Sequence, residues 1–153
     1  VTLQELPIAA KDDALTLLCG ELLGAGASRH VYTYVPNPTD TVIKVEMERR
    51  WFQNVKEWMV WEAVRHVDHA RPWFAPAIRI SEFGVFMLQE RTRPVTLAEL
   101  RKELPRVPAF FTDLKVGNWG RVGKRIVCHD YGTCLTVENG LTRRMKRADW
   151  WEN

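Results

Sequence analysis

Hydrophobic and polar positions along this 153-residue chain alternate, then recur at helical spacing, then alternate again, and that succession predicts its elements. Residues 1–20 read as a short helix or strap, with Asp12 or Asp13 of DDALTLLCG as a start signal and Gly20 as a stop. Glu21 to Val35 (ELLGAGASRHVYTYV) predicts two strands about a tight turn at Gly24 and Gly26, the second carrying the alternating run Val31 to Val35. Pro36 to Asp40 is a turn by composition. The β-branched run Thr41 to Val45 is a third strand.

The strongest helical pattern follows, from Glu48 to Val67, where Phe52, Val55, Met59, Ala63 and Val67 recur at helical spacing before Pro72 and Pro76. Two further strands, AIRIS and VFML, are joined at Glu82-Phe83-Gly84. Thr96 to Leu104 predicts a short helix with a capping box, Thr96 as N-cap and Glu99 three residues on, ended by Pro105 and Pro108. A loop around Asp113, a strand pair across Val122-Gly123-Lys124 and a basic tail complete the chain. There is no internal repeat.

Composition narrows the class only a little. At 46% hydrophobic residues the chain is globular and large enough for one domain or one two-lobed unit. A net charge of +3 does not argue for nucleic acid. The charge is uneven, however, with LTRRMKRA (Leu141 to Ala148) beside Trp150-Trp151. The seven tryptophans are expected at core edges or a partner surface. Three cysteines, Cys19, Cys128 and Cys134, form no C-x-x-C pair, which suits a reducing compartment. Cys128 in IVCH reads as a core residue, and no fourth ligand joins Cys128, His129 and Cys134 at metal-site spacing. No apolar run approaches transmembrane length, and no signal-peptide pattern opens the chain. A cytoplasmic protein without membrane contact is expected.

Chemistry concentrates between Phe111 and Gly132, FTDLKVGNWGRVGKRIVCHDYG. Asp113 lies five residues before Asn118, and after eleven intervening residues an apolar run closes on Asp130-Tyr131-Gly132. Upstream stand the turn Gly24-Ala25-Gly26 and Lys44 in VIKVE, 20 residues after Gly24. Taken singly, the glycine turn is an ordinary β-turn and Lys44 a solvated strand lysine. In this order they resemble protein kinases: a G-x-G-x-x-G-x-V loop, a V-A-I-K strand, a catalytic loop H-R-D-L-x-x-x-N and D-F-G. The resemblance covers roughly Leu22 to Gly132.

The resemblance implies an α+β protein kinase-like fold, with a five-stranded antiparallel N-lobe sheet and its αC helix over residues 1–90 and a minimal C-lobe over 91–153. It implies ATP and Mg²⁺ as cofactors. Gly24, Gly26 and Ser28 would meet phosphates through the backbone, and Lys44 would reach the α- and β-phosphates. Glu57 would pair with Lys44, being preferred to Glu62 because Val60 and Trp61 fill the next turn, and to Glu48 at the helix start. Asp113 would accept the proton of an attacking hydroxyl, with Lys115 near the γ-phosphate. Asn118 and Asp130 would hold Mg²⁺. The hinge that meets adenine falls at Gln89, Glu90 and Arg91.

The departures from the family pattern matter as well. Arg29 replaces the third loop glycine, Phe111-Thr112 replaces His-Arg, and VGNWG is closer to small-molecule and atypical kinases. Only 22 residues separate Glu90 from Asp113 and 21 follow Gly132, so a truncated C-lobe is expected. Miniature chains of this kind resemble proteins of bacterial viruses, which would act in the host cytoplasm.

Two function classes follow: a kinase acting on a host or partner protein or on itself, and an inactive kinase-like protein that modulates a partner by docking. The five positions Lys44, Glu57, Asp113, Asn118 and Asp130 favour the enzyme. For the basic, Trp-rich tail, a solvated helix with its tryptophans packed on the body is favoured over nucleic-acid contact. The tail is also suited to pack under the catalytic loop or to form a homodimer contact.

Overall fold

The computed structural model describes residues 8–48, 51–134 and 140–153. The chain is mixed α+β. A helix, α1 (Ile8–Leu18), leads into an antiparallel sheet of five strands: β1 (Cys19–Ala25), β2 (Arg29–Tyr34), β3 (Thr41–Glu46), β4 (Ala77–Ile80) and β5 (Phe86–Glu90), in the order β1-β2-β3-β5-β4. The central strand β3 is buried along all six residues, so its polar members Thr41, Lys44 and Glu46 must find partners inside the protein.

Helix α1 starts before Asp12 and Asp13, which lie within it, so neither is its start signal. Nor does Gly20 stop it, since Gly20 is already in β1. A Cβ there would stand 2.3 Å from Thr33 Oγ1, the atom that accepts a hydrogen bond from Glu21 N (2.8 Å). Gly20 therefore serves the close approach of β1 and β2. Residues 1–7 of the predicted strap lie outside the described residues.

The second helix, α2 (Gln53–Val64), is shorter than its hydrophobic pattern predicts. It begins where the Glu46 carboxylate accepts from Gln53 N (2.8 Å) and Asn54 N (3.1 Å), placing negative charge on the positive end of the helix. Its N-cap, Phe52, has a left-handed backbone (φ 50°), a conformation uncommon outside glycine. The buried face is Asn54, Glu57, Val60, Trp61 and Val64. Phe52, Met59 and Ala63 of the predicted stripe point outward. Hydrophobicity does not report this face because two of its five members are polar.

The remaining elements build the floor beneath the sheet. α3 (Leu97–Glu103) has the predicted cap, with Thr96 Oγ1 accepting from Glu99 N (3.2 Å) and Glu99 Oε2 accepting from Thr96 N (2.7 Å). β6 (Arg93–Pro94), β8 (Trp119–Val122) and β9 (Arg125–Cys128) form a three-stranded sheet, and β7 (Arg106–Pro108) pairs with β10 (Met145–Arg147), so the described part of the basic tail is extended by this pairing and is not the expected helix. One hydrophobic cluster joins the two parts, running from Val60 and Val64 of α2 through Phe74 and Phe111 to Trp119 and Trp150. Its centre is aromatic: Phe74 meets Tyr131 edge-on at 5.0 Å, and Trp119 meets Trp150 in the same way at 5.0 Å. Among the described residues no helix is long and apolar enough to cross a membrane.

Candidate functional site

Burying Lys44 in β3 requires a counter-charge, and α2 supplies it. Lys44 Nζ, 3% exposed, donates to Glu57 Oε1 and to the carbonyl of His129. Glu57 is fully buried and also accepts from Gln89 Nε2 (3.0 Å) and from Arg29 Nη2 (2.8 Å). Glu62 instead pairs with Arg65 on the surface (3.2 Å). Burial by itself would raise the Glu57 carboxyl, but Arg29 and Lys44 outweigh it and hold the group at about 2. Burial lowers Lys44, Glu57 opposes that, and Arg29 adds to the lowering.

Arg29 binds three parts of the chain together. Nη2 also donates to Asp130 Oδ1 (2.8 Å), and Nη1 donates to Asn54 Oδ1 (3.1 Å). Asn54 is anchored in turn by its amide nitrogen, which donates to the carbonyls of Lys44 (3.0 Å), Gly84 (2.9 Å) and Val85 (3.1 Å). Burial opposes the charge on Arg29, yet Glu57 and Asp130 keep its affinity for the proton above the ordinary value.

The loop from Asp113 to Asn118 forms the opposite wall. Asp113 Oδ1 accepts from Lys115 N (3.1 Å) and Oδ2 accepts from Asn118 Nδ2 (2.9 Å), so the exposed carboxylate has one fixed orientation. Asn118 O accepts from His129 N (2.8 Å), joining this loop to the Asp130 segment. The His129 ring lies between Thr92 Oγ1 (Nδ1, 2.7 Å) and Gly117 O (Nε2, 2.8 Å). Burial first, then Lys44, pushes the imidazole down to about 4. The tail braces the loop from beneath, with Val116 N donating to Trp151 O (2.9 Å) and Trp151 N to Leu114 O (3.2 Å).

These groups surround a cavity of about 770 Å³. Of the residues singled out from the sequence, Gly24, Gly26, Ser28, Lys44, Gln89, Glu90, Asp113, Asn118 and Asp130 line it. Glu57 lies behind Lys44. Lys115 does not line the cavity, its ammonium resting 5.4 Å from the centre of the Trp151 ring. The Gln89 side chain is buried on Glu57, while Glu90 N donates to Pro76 O (2.9 Å) and Arg91 N to Asp40 O (2.7 Å). Those two amides are thus committed to neighbouring chain. A second concavity of about 640 Å³, between Arg101, Pro105 and the segment Arg147 to Trp151, holds none of these groups.

Asn54, His129 and Trp151 were not read as site residues. Asn54 left a usable signal, since it lies one helical turn before Glu57 on the same face. The role of Trp151 depends on a contact between distant parts of the chain and has no local signature. No protein-family model matches the chain, and no curated protein does. The functional reading therefore rests on the geometry.

Proposed function

We propose that the chain is an ATP- and Mg²⁺-dependent phosphotransferase of protein kinase-like fold, acting on a hydroxyl of a host or partner protein or on itself. The observation that carries this reading is that one cavity collects a buried Lys44–Glu57 pair, an oriented Asp113 carboxylate and the oxygens of Asn118 and Asp130. The sheet order β1-β2-β3-β5-β4, with α2 supplying Glu57, also supports it. A volume of about 770 Å³ suits a nucleotide-sized ligand. A Cβ at Gly24 would meet nothing within 4 Å, so that turn leaves room for close approach to its backbone.

The donor set fits a hard cation. Asp130 Oδ2 and the Asn118 side-chain oxygen Oδ1 are oxygen ligands of the kind Mg²⁺ takes alongside phosphate. When bound, Mg²⁺ supplies charge neutralisation of the phosphates. The chain's own residues do the rest. Lys44, held by Glu57, presents a fixed positive charge. Asp113 retains lone pairs beyond its two hydrogen bonds and accepts the hydroxyl proton of the acceptor. The test is transfer of labelled phosphate from ATP to protein by the wild type and Asp113→Asn. The expected result is loss of at least about 100-fold in transfer with nucleotide binding retained. Undiminished transfer by Asp113→Asn overturns the assignment, and nucleotide binding without any transfer favours the docking protein.

A further inference from the structure

Arg29 stands where the resemblance calls for a glycine, and its side chain enters the cavity instead of solvent. It is 7% exposed, and each of its three hydrogen bonds ends on a residue of the site: Asn54, Glu57 and Asp130. Asn54 is tied to three backbone carbonyls and Glu57 to Lys44 and Gln89, so the guanidinium is held on a rigid base. On the cavity side it meets Asp130 Oδ1 at 2.8 Å, occupying one of the two oxygens of that carboxylate.

We propose that Arg29 is the site's built-in second cation, so that nucleotide is bound with one divalent ion where kinase-type sites take two. This rests on the phosphotransferase reading above. Kinase-type sites hold two Mg²⁺ through the D-F-G aspartate and the catalytic-loop asparagine. Here one oxygen of Asp130 already carries a full positive charge. A second divalent ion on that carboxylate would stand next to a permanently charged guanidinium that has no means of losing its proton. Charge balance agrees: the two cations Lys44 and Arg29 match the two carboxylates Glu57 and Asp130, so Asp130 is compensated before any divalent ion binds. The charge is placed by the fold instead of being recruited from solution, which makes Arg29 a positioning and charge-compensating residue.

The test counts Mn²⁺ bound per chain in the presence of saturating ADP, from the electron paramagnetic resonance signal of free Mn²⁺. The wild type is expected to bind one. Arg29→Gln, which removes the charge and withdraws the donor from Asp130 Oδ1, is expected to bind two. Arg29→Lys is expected to remain at one. Two ions in the wild type, or one in folded Arg29→Gln, overturns the proposal while leaving the phosphotransferase reading intact. A wild type that binds neither ADP nor Mn²⁺ overturns both. If circular dichroism shows Arg29→Gln unfolded, the counts for the wild type and Arg29→Lys decide: one ion each supports the proposal and two in either overturns it.

Discussion

His129 makes the protein's stability depend on pH. Gly117 O can only accept, so Nε2 carries the proton and Nδ1 accepts from the Thr92 hydroxyl. The ring is thus fully bonded while neutral. Its pKa falls from 6.5 to about 4, through burial and then the charge of Lys44. A depressed value means the unfolded chain takes up the proton first as pH falls. The stabilisation is complete above pH 6.5 and is lost progressively toward pH 4. A shift of that size corresponds to about 3 kcal/mol, and partial exposure of the ring trims it to about 2 kcal/mol. With a urea slope of about 2 kcal/mol per M, the unfolding midpoint should fall by about 0.5 to 1 M between pH 7.5 and pH 5. His129→Gln can donate to Gly117 and accept from Thr92 without titrating, and its midpoint should be nearly flat over that range. A wild-type midpoint that does not move, or a variant that keeps the full decline, would refute this account of the ring.

Other perturbations follow from the same contacts. Glu57→Gln should lose about 3 kcal/mol at pH 7 by urea unfolding, because two buried cations lose their shared carboxylate; since the Glu57 pKa is depressed, the gap to wild type should be full above pH 4.5 and narrow as pH falls toward 2. Trp150→Ala should cost about 3 to 5 kcal/mol by the same measurement, since the ring is 5% exposed, packs on Trp119 and donates to Leu104 O (2.9 Å). Trp151→Ala, with its ring 45% exposed, should cost well under half of that. Thr96→Ala removes the capping box of α3 and should lower stability by about 1 kcal/mol.

Much of the architecture was legible in the chain because local chemistry and global packing agree there. The alternating and β-branched runs lie in β1 to β5, and Thr96 and Glu99 cap α3 as their spacing requires. The choice of Glu57 over Glu62 as partner of Lys44 depended on the apolar pair Val60 and Trp61, both of which are buried. The misreadings have physical causes. In α2 the buried face carries Asn54 and Glu57, so apolar periodicity selected the solvent side instead. The two- and three-residue strands β6, β7 and β10 are too short to show a period and exist through their pairing. Lys115 has the spacing of a phosphate ligand, yet the tail brings Trp151 under it, a long-range contact that spacing within the loop does not encode. Arg29 stood out only as a missing glycine; that its charge ends on Asp130 required the positions of β2, α2 and the Asp130 segment together.

The central claim is that Asp130, Asn118 and Lys44 line a nucleotide site that requires Mg²⁺. Calorimetric titration with ATP, with and without Mg²⁺, on the wild type and Asp130→Ala tests it most directly. The account predicts saturable binding by the wild type that weakens at least about tenfold without Mg²⁺, and loss of that Mg²⁺ dependence in a folded Asp130→Ala. A wild type that binds no ATP with Mg²⁺ present, or an Asp130→Ala that binds as the wild type does, would contradict it.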